Sequence, residues 1–324
     1  MLDEYRPDHK KIGVFYVMRV HLDFDILQRK KEIHMNTFTP IIIAFLCAQV
    51  FAFAQGGLKK QKDSIDTSIK KPYLDVFYGN AEINREGMKG KISNADVFGI
   101  SIGLKKEEPH TEASDIIIQD KNGLSLSIGA AKDLQQSDLT FQGISLTNAN
   151  ALDFWSLGAI NGTGYGYAWG GATLMLTVED NATWTSFNPR SFMLPVDTTD
   201  NQFILDMDGT MRYGSSMTSS IECRIANTVS LTGGYTWNQV LPRHMFWYWL
   251  GSEVIEGLAG AVVDRVIENF ANVSPKSVPV MHFVLKSALL YGVKELRRSK
   301  MNMPFDTVSP MNITYWNIGV GLTL

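Results

Sequence analysis

Residues 203–210 read FILDMDGT, which sets two carboxylates, Asp206 and Asp208, two positions apart ahead of a Gly-Thr pair. Carboxylates are a residue type on which nucleophilic and acid–base chemistry draws. The same letters also describe geometry, because an Asp-Gly pair between alternating apolar residues is the strongest short-range hairpin signal. Other side chains that could do chemistry are few. His110, His244 and His282 are each isolated from any motif, and no His, Cys or carboxylate spacing suits a metal.

FILDMDGT resembles the start of the active site in phosphatases of the haloacid dehalogenase family. The resemblance implies that Asp206 attacks phosphorus and that Asp208 protonates the leaving group. That family also needs a downstream Lys and an acidic Mg²⁺ site, typically a Gly-Asp or Asp-Asp cluster. After residue 210 no such pair occurs, and the acids stand singly at Glu222, Glu253, Glu256, Asp264, Glu268, Glu295 and Asp306. The hairpin reading is more economical. A three-residue loop, Asp208-Gly209-Thr210, pairs Met207 with Met211 and Leu205 with Tyr213, and sets Asp206 opposite Arg212 on the other face. The expectation is a cross-strand ion pair, Asp206 with Arg212, rather than a nucleophile.

The compartment is legible near the start. Residues 41–54, IIIAFLCAQVFAFA, form an uncharged apolar run ending in Ala52-Phe53-Ala54, as in the h-region and cleavage site of a secretory signal peptide. Residues 35–54 are read as that leader, residues 1–34 as an extension from a start codon called too early, and the mature chain as starting near Gln55. A long n-region ending in Arg29-Lys30-Lys31 is the alternative. Cys47 leaves with the leader, so Cys223 stands alone and no internal disulfide forms. A formal net charge of −3 over 324 residues argues against a nucleic-acid partner. Residues 55–72 are Lys-rich, without hydrophobic period, and read as a flexible tail.

Beyond the tail the apolar residues alternate. In 228–238, Val229, Leu231, Gly233, Tyr235 and Trp237 share one face, and Thr, Ser, Gly and Asn the other. Residues 211–225 behave alike, and further candidates are 73–80, 96–104, 123–130, 140–147, 153–161 and 164–178. Such strands are long for a soluble sandwich, and their second face is small as well as polar. A transmembrane strand needs roughly 9–11 residues with one apolar face toward lipid. The run GTGYGYAWGG at 162–171 fits no nucleotide-loop pattern and reads as an aromatic- and glycine-rich strand.

The ending is the most specific signal. In NIGVGLTL (317–324), Asn317 is followed by Gly319 and then by Leu322 and Leu324. This octet resembles the C-terminal β-signal of Gram-negative outer-membrane barrels, most of which end in Phe where this chain ends in Leu. The resemblance implies that these four residues guide assembly, with outer-membrane lipid and the outer-membrane assembly machinery as partners and no cofactor. The expected fold is all-β: an antiparallel transmembrane β-barrel over 73–324, of roughly 8–12 strands.

One stretch, 244–298, breaks the alternation. Leu250, Val254, Leu258, Ala261 and Val262 recur at helical spacing, and SPKSVP (274–279) leads into a second helix, so a helical insertion precedes the last strand. Three placements stay open for it: a hairpin packed on other protein, a plug in the lumen, and an amphipathic pair on the membrane. Barrel termini face the periplasm, so Tyr235 and Trp237 on one strand and Tyr315 and Trp316 on another fall at the outer end, in an aromatic girdle. The function expected is membrane-embedded, with a surface or structural role or small-solute passage. A lipid-modifying barrel enzyme, with His244 near the rim, and a secreted soluble β-protein are the rivals.

Overall fold

The computed structural model describes residues 70–110, 113–132, 140–141, 144–147, 150–193, 198–225, 228–243 and 245–324. The expected extension, leader and most of the expected tail lie outside the described residues. The end of that tail is not tail: Lys70, Lys71 and Pro72 are already strand, and Leu324 N donates to Pro72 O at 2.9 Å.

Eight long strands make the wall: β1 (Lys70–Asn84), β2 (Ala95–His110), β3 (Ala113–Ala131), β4 (Ala151–Trp169), β5 (Ala172–Met193), β6 (Met211–Ile225), β7 (Val229–Val240) and β8 (Met311–Thr323). Each is antiparallel to the next, and β8 returns to pair with β1 from Tyr73↔Thr323 to Asn84↔Asn312. The sheet is therefore a closed barrel without open edges, which is how a β-structure satisfies its backbone in hydrocarbon. Lys70 and Thr323 lie at one end, the terminal end; the long connections lie at the other, the loop end.

Two strand expectations are corrected. Residues 140–147 give no barrel strand, only the short strands Thr140–Phe141 and Ile144–Thr147, the second running beside the end of β5. The stretch 153–178 does not divide near residue 162. β4 runs through Gly162 and Gly164 to Trp169, and the chain reverses at Gly170-Gly171, whose φ values of 52° and 88° belong to the two-residue turn that favours glycine at both positions. β5 then continues past Val178 to Met193, with Glu179, Asn181, Thr183 and Thr185 all buried.

The largest correction falls on FILDMDGT. Thr198–Met207 form a helix, α1, and Asp208-Gly209-Thr210 is its exit into β6, with Gly209 at φ 60°. Met211 and Tyr213 pair instead with Ser186 and Trp184 of β5. Ile204 and Met207 are buried in the apolar cluster at the loop end, and Phe203 packs against it. Burying Ile204 and Met207 in that cluster outweighs the local turn signal.

The helical insertion is present as α2 (Phe246–Val273) and α3 (Val278–Leu296), joined by a short 3₁₀ turn at Pro275–Ser277. It does not enter the lumen. α3 lies on outward-pointing side chains of β4 to β7, with Ser287 Oγ 2.8 Å from Ser219 Oγ and Gln239 Nε2 donating to Lys294 O at 2.8 Å. Among the described residues no helix is long and apolar enough to cross a membrane alone.

Candidate functional site

The outward face of the barrel carries an apolar belt. Register brings its members together: Leu74 beside Ile102 and Leu322, Val76 beside Ile100 and Val320, Tyr78 beside Phe98 and Ile318. The rows continue to Leu124, Leu126 and Ile128 of β3 and to Leu231 of β7. These side chains are not buried: Ile102 is 53% exposed, Leu231 64% and Ile318 68%. Soluble monomers keep contiguous apolar patches to roughly a few hundred Å². Between Leu104 and Phe98 the belt on β2 covers about 20 Å of strand, comparable with the roughly 25 Å of an outer-membrane belt. Polar residues bound it. Toward the loop end, Tyr78 Oη and Asn80 Nδ2 donate to Asp96. Toward the terminal end, Lys106 lies 2.8 Å from Glu108 and in register with Asp120.

The interior is filled in three layers. Nearest the terminal end, Lys105, fully buried, lies 3.0 Å from Glu222 and 3.9 Å from Asp75; Lys121 lies 2.9 Å from Asp75 and 3.0 Å from Glu179. Arg224 bridges Glu222, at 3.0 Å, and Glu107, while Lys71 adds a fourth cation 3.7 Å from Glu107. Charges buried this deeply persist only when paired. Tyr73 lies among them, its ring 5.1 Å from Lys105 Nζ and 4.8 Å from Lys121 Nζ. Glycines on neighbouring strands make room for it: a Cβ at Gly103 would meet the ring at 2.8 Å, and one at Gly123 the hydroxyl at 2.6 Å.

Above the charges sits a cavity of about 90 Å³ lined by Ser125, Ser156, Asn181, Thr183, Thr218 and Thr232, among others. Above that, Ala81, Ile83, Val97, Phe154, Phe187 and Ile313 join the side chains of α1 in the apolar cluster. Two contacts secure α1 there. Asp200 Oδ2 accepts from the backbone of Lys89 and Gly90, at 2.9 and 2.8 Å, and the Arg85 guanidinium lies 3.7 Å over the Phe203 ring. Burial lowers the Arg85 pKa, with Asp200 pulling the other way.

The residues singled out in the sequence are placed as follows. Asp206 does not face Arg212 in the lumen. Its side chain is exposed on α1 and accepts from Gln202 Nε2 at 2.8 Å, while Arg212 donates to the Asp206 backbone carbonyl, to Pro242 O at 2.6 Å and to Thr210 Oγ1 at 2.9 Å. The charged pairs that do fill the lumen join mostly different strands, Lys105 with Glu222 across 117 positions and Lys121 with Glu179 across 58, and no local pattern announces them. Asn317 and Gly319 line the cavity and Leu322 and Leu324 are exposed outside; Asn317 Nδ2 donates to Thr236 Oγ1 at 3.1 Å.

The four aromatic side chains expected in one girdle do not share one surface. Trp316, 75% exposed, and Tyr235 meet on the outside with ring centroids 5.0 Å apart. Tyr315 points inward and stacks on Phe77 at 6.3 Å, because adjacent strand residues take opposite faces. Trp237 points outward but is buried beneath α3, 5.2 Å from Tyr291. His282, on α3, is buried against the wall, its Nε2 3.2 Å from Thr163 Oγ1 and its ring 4.7 Å from that of Tyr165. His244 lies outside the described residues.

No family model and no curated protein matches the chain. Among solved structures it is similar to Neisserial surface protein A (NspA), at 10% identity and a TM-score of 0.34, over 78% of this chain and 97% of that one. It is also similar to Ail, the attachment invasion locus protein of Yersinia pestis, at 8% identity and a TM-score of 0.27, over 78% and 98%. Ail in complex with the heparin analogue sucrose octasulfate gives 7% and 0.29, over 79% and 99%. NspA and Ail are outer-membrane barrels of eight strands. Likeness at this level carries no argument, and the account of this chain rests on its own strands and side chains.

Proposed function

We propose that this protein is an outer-membrane β-barrel closed to solutes, acting through its wall and its loop-end surface rather than as a passage. The observation that carries the reading is a belt of exposed apolar side chains around an interior occupied by paired charges and capped by an apolar cluster. A belt of this kind needs an apolar partner, and its height and its course across successive strands suit hydrocarbon. A conducting barrel instead keeps a water-filled lumen, and a small barrel has an interior just wide enough for side chains to fill. The strand ending in Leu322 and Leu324 then serves as the signal read by the assembly machinery, after export through the leader at 35–54.

Two measurements test this. Purified protein in planar bilayers should give no stepwise conductance; steady ohmic steps would overturn the closed interior. Changing Leu322 and Leu324 together to Asp should remove the folded, heat-modifiable band from outer-membrane fractions while export continues. Unchanged outer-membrane levels would remove the assembly role.

A further inference from the structure

The outer wall is not apolar all the way round. Where α3 lies, several outward positions are polar: Thr163 on β4, Ser215 and Ser219 on β6, Gln239 on β7. Each finds its partner on the helix. Thr163 meets His282, Ser219 meets Ser287, Lys294 Nζ donates to Ser215 Oγ at 2.6 Å, and Gln239 donates to Lys294 O. Apolar contacts fill the same seam, with Leu290 against Val178, Met217 and Trp237. Such a wall suits a protein neighbour and not lipid.

The second helix then stands where lipid would have been. Its own charges nearest the loop end are tied to α3: Glu253, a third exposed, and Glu256, largely buried, pair with Arg297 at 3.1 and 3.0 Å. The most exposed side chains between Trp247 and Val262 carry no charge. Trp247 is 78% exposed, Val254 55%, Leu258 66% and Val262 65%. At 1.5 Å per residue this stretch is about 22 Å long, close to the roughly 25 Å of a barrel's apolar belt. Its height also agrees. The exposed charges Asp264, Arg265 and Glu268 begin just beyond it; Asp264 is held 2.6 Å from Lys286, one helical turn from His282. His282 touches Thr163, and Thr163 is in register with Asp120, where the belt on β3 gives way to polar side chains.

We propose that the outer face of α2 from Trp247 to Val262 is a lipid-contacting surface that continues the barrel's belt, its partner being the acyl chains of membrane lipid. The inference rests on the membrane reading above. α2 does not span hydrocarbon on its own, and it need not: the wall and α3 take its inward charges, and only its apolar side meets lipid.

The test is depth-resolved quenching. In a background freed of Cys47 and Cys223 by serine substitution, Ile102→Cys, Val254→Cys, Leu258→Cys and Asp306→Cys are each labelled with bimane and reconstituted in phosphatidylcholine vesicles with brominated or ordinary acyl chains. The brominated lipid should quench the labels at 254 and 258 as much as the label at 102, and leave the label at 306 bright. Bright labels at 254 and 258 beside a quenched label at 102 overturn the inference and leave the barrel in the membrane. Disulfide cross-linking of unlabelled Val254→Cys between copies would also overturn it, making the face a dimer contact. A bright label at 102 overturns the membrane reading itself.

Discussion

β7 carries two outward surfaces on one strand. Leu231 and Gln239 point the same way, eight residues apart, yet Leu231 is 64% exposed and Gln239 only 1%. Leu231 stands beside Val320 and Cys223 in the bare belt, whereas Gln239 is hydrogen-bonded to Lys294 O and to Asn312 Oδ1 beneath α3. Period-two alternation tells which way a side chain points. It does not tell what waits there, and the chemistry of the outward residue, apolar or polar, is what separates a lipid-facing arc from one covered by protein.

The comparison breaks first at Arg297. This side chain, 6% exposed, holds both Glu253 and Glu256 and so ties α2 to α3 against the covered arc. Arg297→Met leaves two carboxylates without their cation, and removing one partner of a buried pair costs about 3–5 kcal/mol. Urea unfolding in lipid vesicles should show a loss of that size, with new protease cleavage within 246–296 while the barrel stays resistant. Arg297→Lys should recover part of the loss. An unchanged midpoint for Arg297→Met would mean that the helices are held on the wall by apolar contact alone.

The bare arc is probed by Leu231→Arg, since arginine at a lipid-facing midplane position costs about 2–4 kcal/mol. Thr232→Arg, one residue along and lining the cavity, provides the contrast. It lies in register with Glu222 among polar side chains that can take up the charge, so its cost should be the smaller of the two. Reversal of that order in equilibrium unfolding would turn the sheet inside out.

Faces and the closing strand were legible because alternation is a local property. Trp316, Ile318, Val320 and Leu322 read directly as the outer side of β8, and the helices of 246–296 read from their period. The pairing of Tyr315 with Trp316 in one girdle overlooked that neighbours on a strand diverge. What could not be read is non-local. Lys105 with Glu222 and Lys121 with Glu179 join strands far apart in the chain, and the division between bare and covered arcs depends on where α3 comes to rest. The polar outward residues Ser215, Ser219 and Gln239 were the available sign that part of the wall faces protein.

A smaller effect belongs to Gln239 itself. Gln239→Ala removes a buried donor and leaves Lys294 O and Asn312 Oδ1 each short of one hydrogen bond, which costs about 1–3 kcal/mol. The loss should appear mainly as loosened docking of α3: hydrogen exchange in 278–296 should accelerate, with the bare arc unaffected. Faster exchange spread evenly around the barrel would make Gln239 part of general wall packing and blur the two arcs into one.

The smallest effect is expected within FILDMDGT, on neither arc. Asp206 is exposed on α1; Arg212 donates to its backbone carbonyl, and the carboxylate adds only an attraction through space, so the charge is not what chiefly holds that contact. Asp206→Asn keeps the carbonyl and retains an oxygen for Gln202, and surface substitutions of this kind usually stay within about 0.5 kcal/mol. Changing Arg212 is another matter, because its guanidinium joins Asp206 O, Thr210 and Pro242 O at the mouth of β6, and Arg212→Ala should cost several times more. A charge reversal, Asp206→Arg with Arg212→Asp, should therefore fail to restore stability, as a side-chain ion pair would predict that it does. The wild-type protein should hydrolyse no generic phosphate ester in the presence of Mg²⁺ above a heat-killed control. Turnover lost on Asp206→Asn would return Asp206 to the catalytic reading and require α1 to be a site rather than a cover.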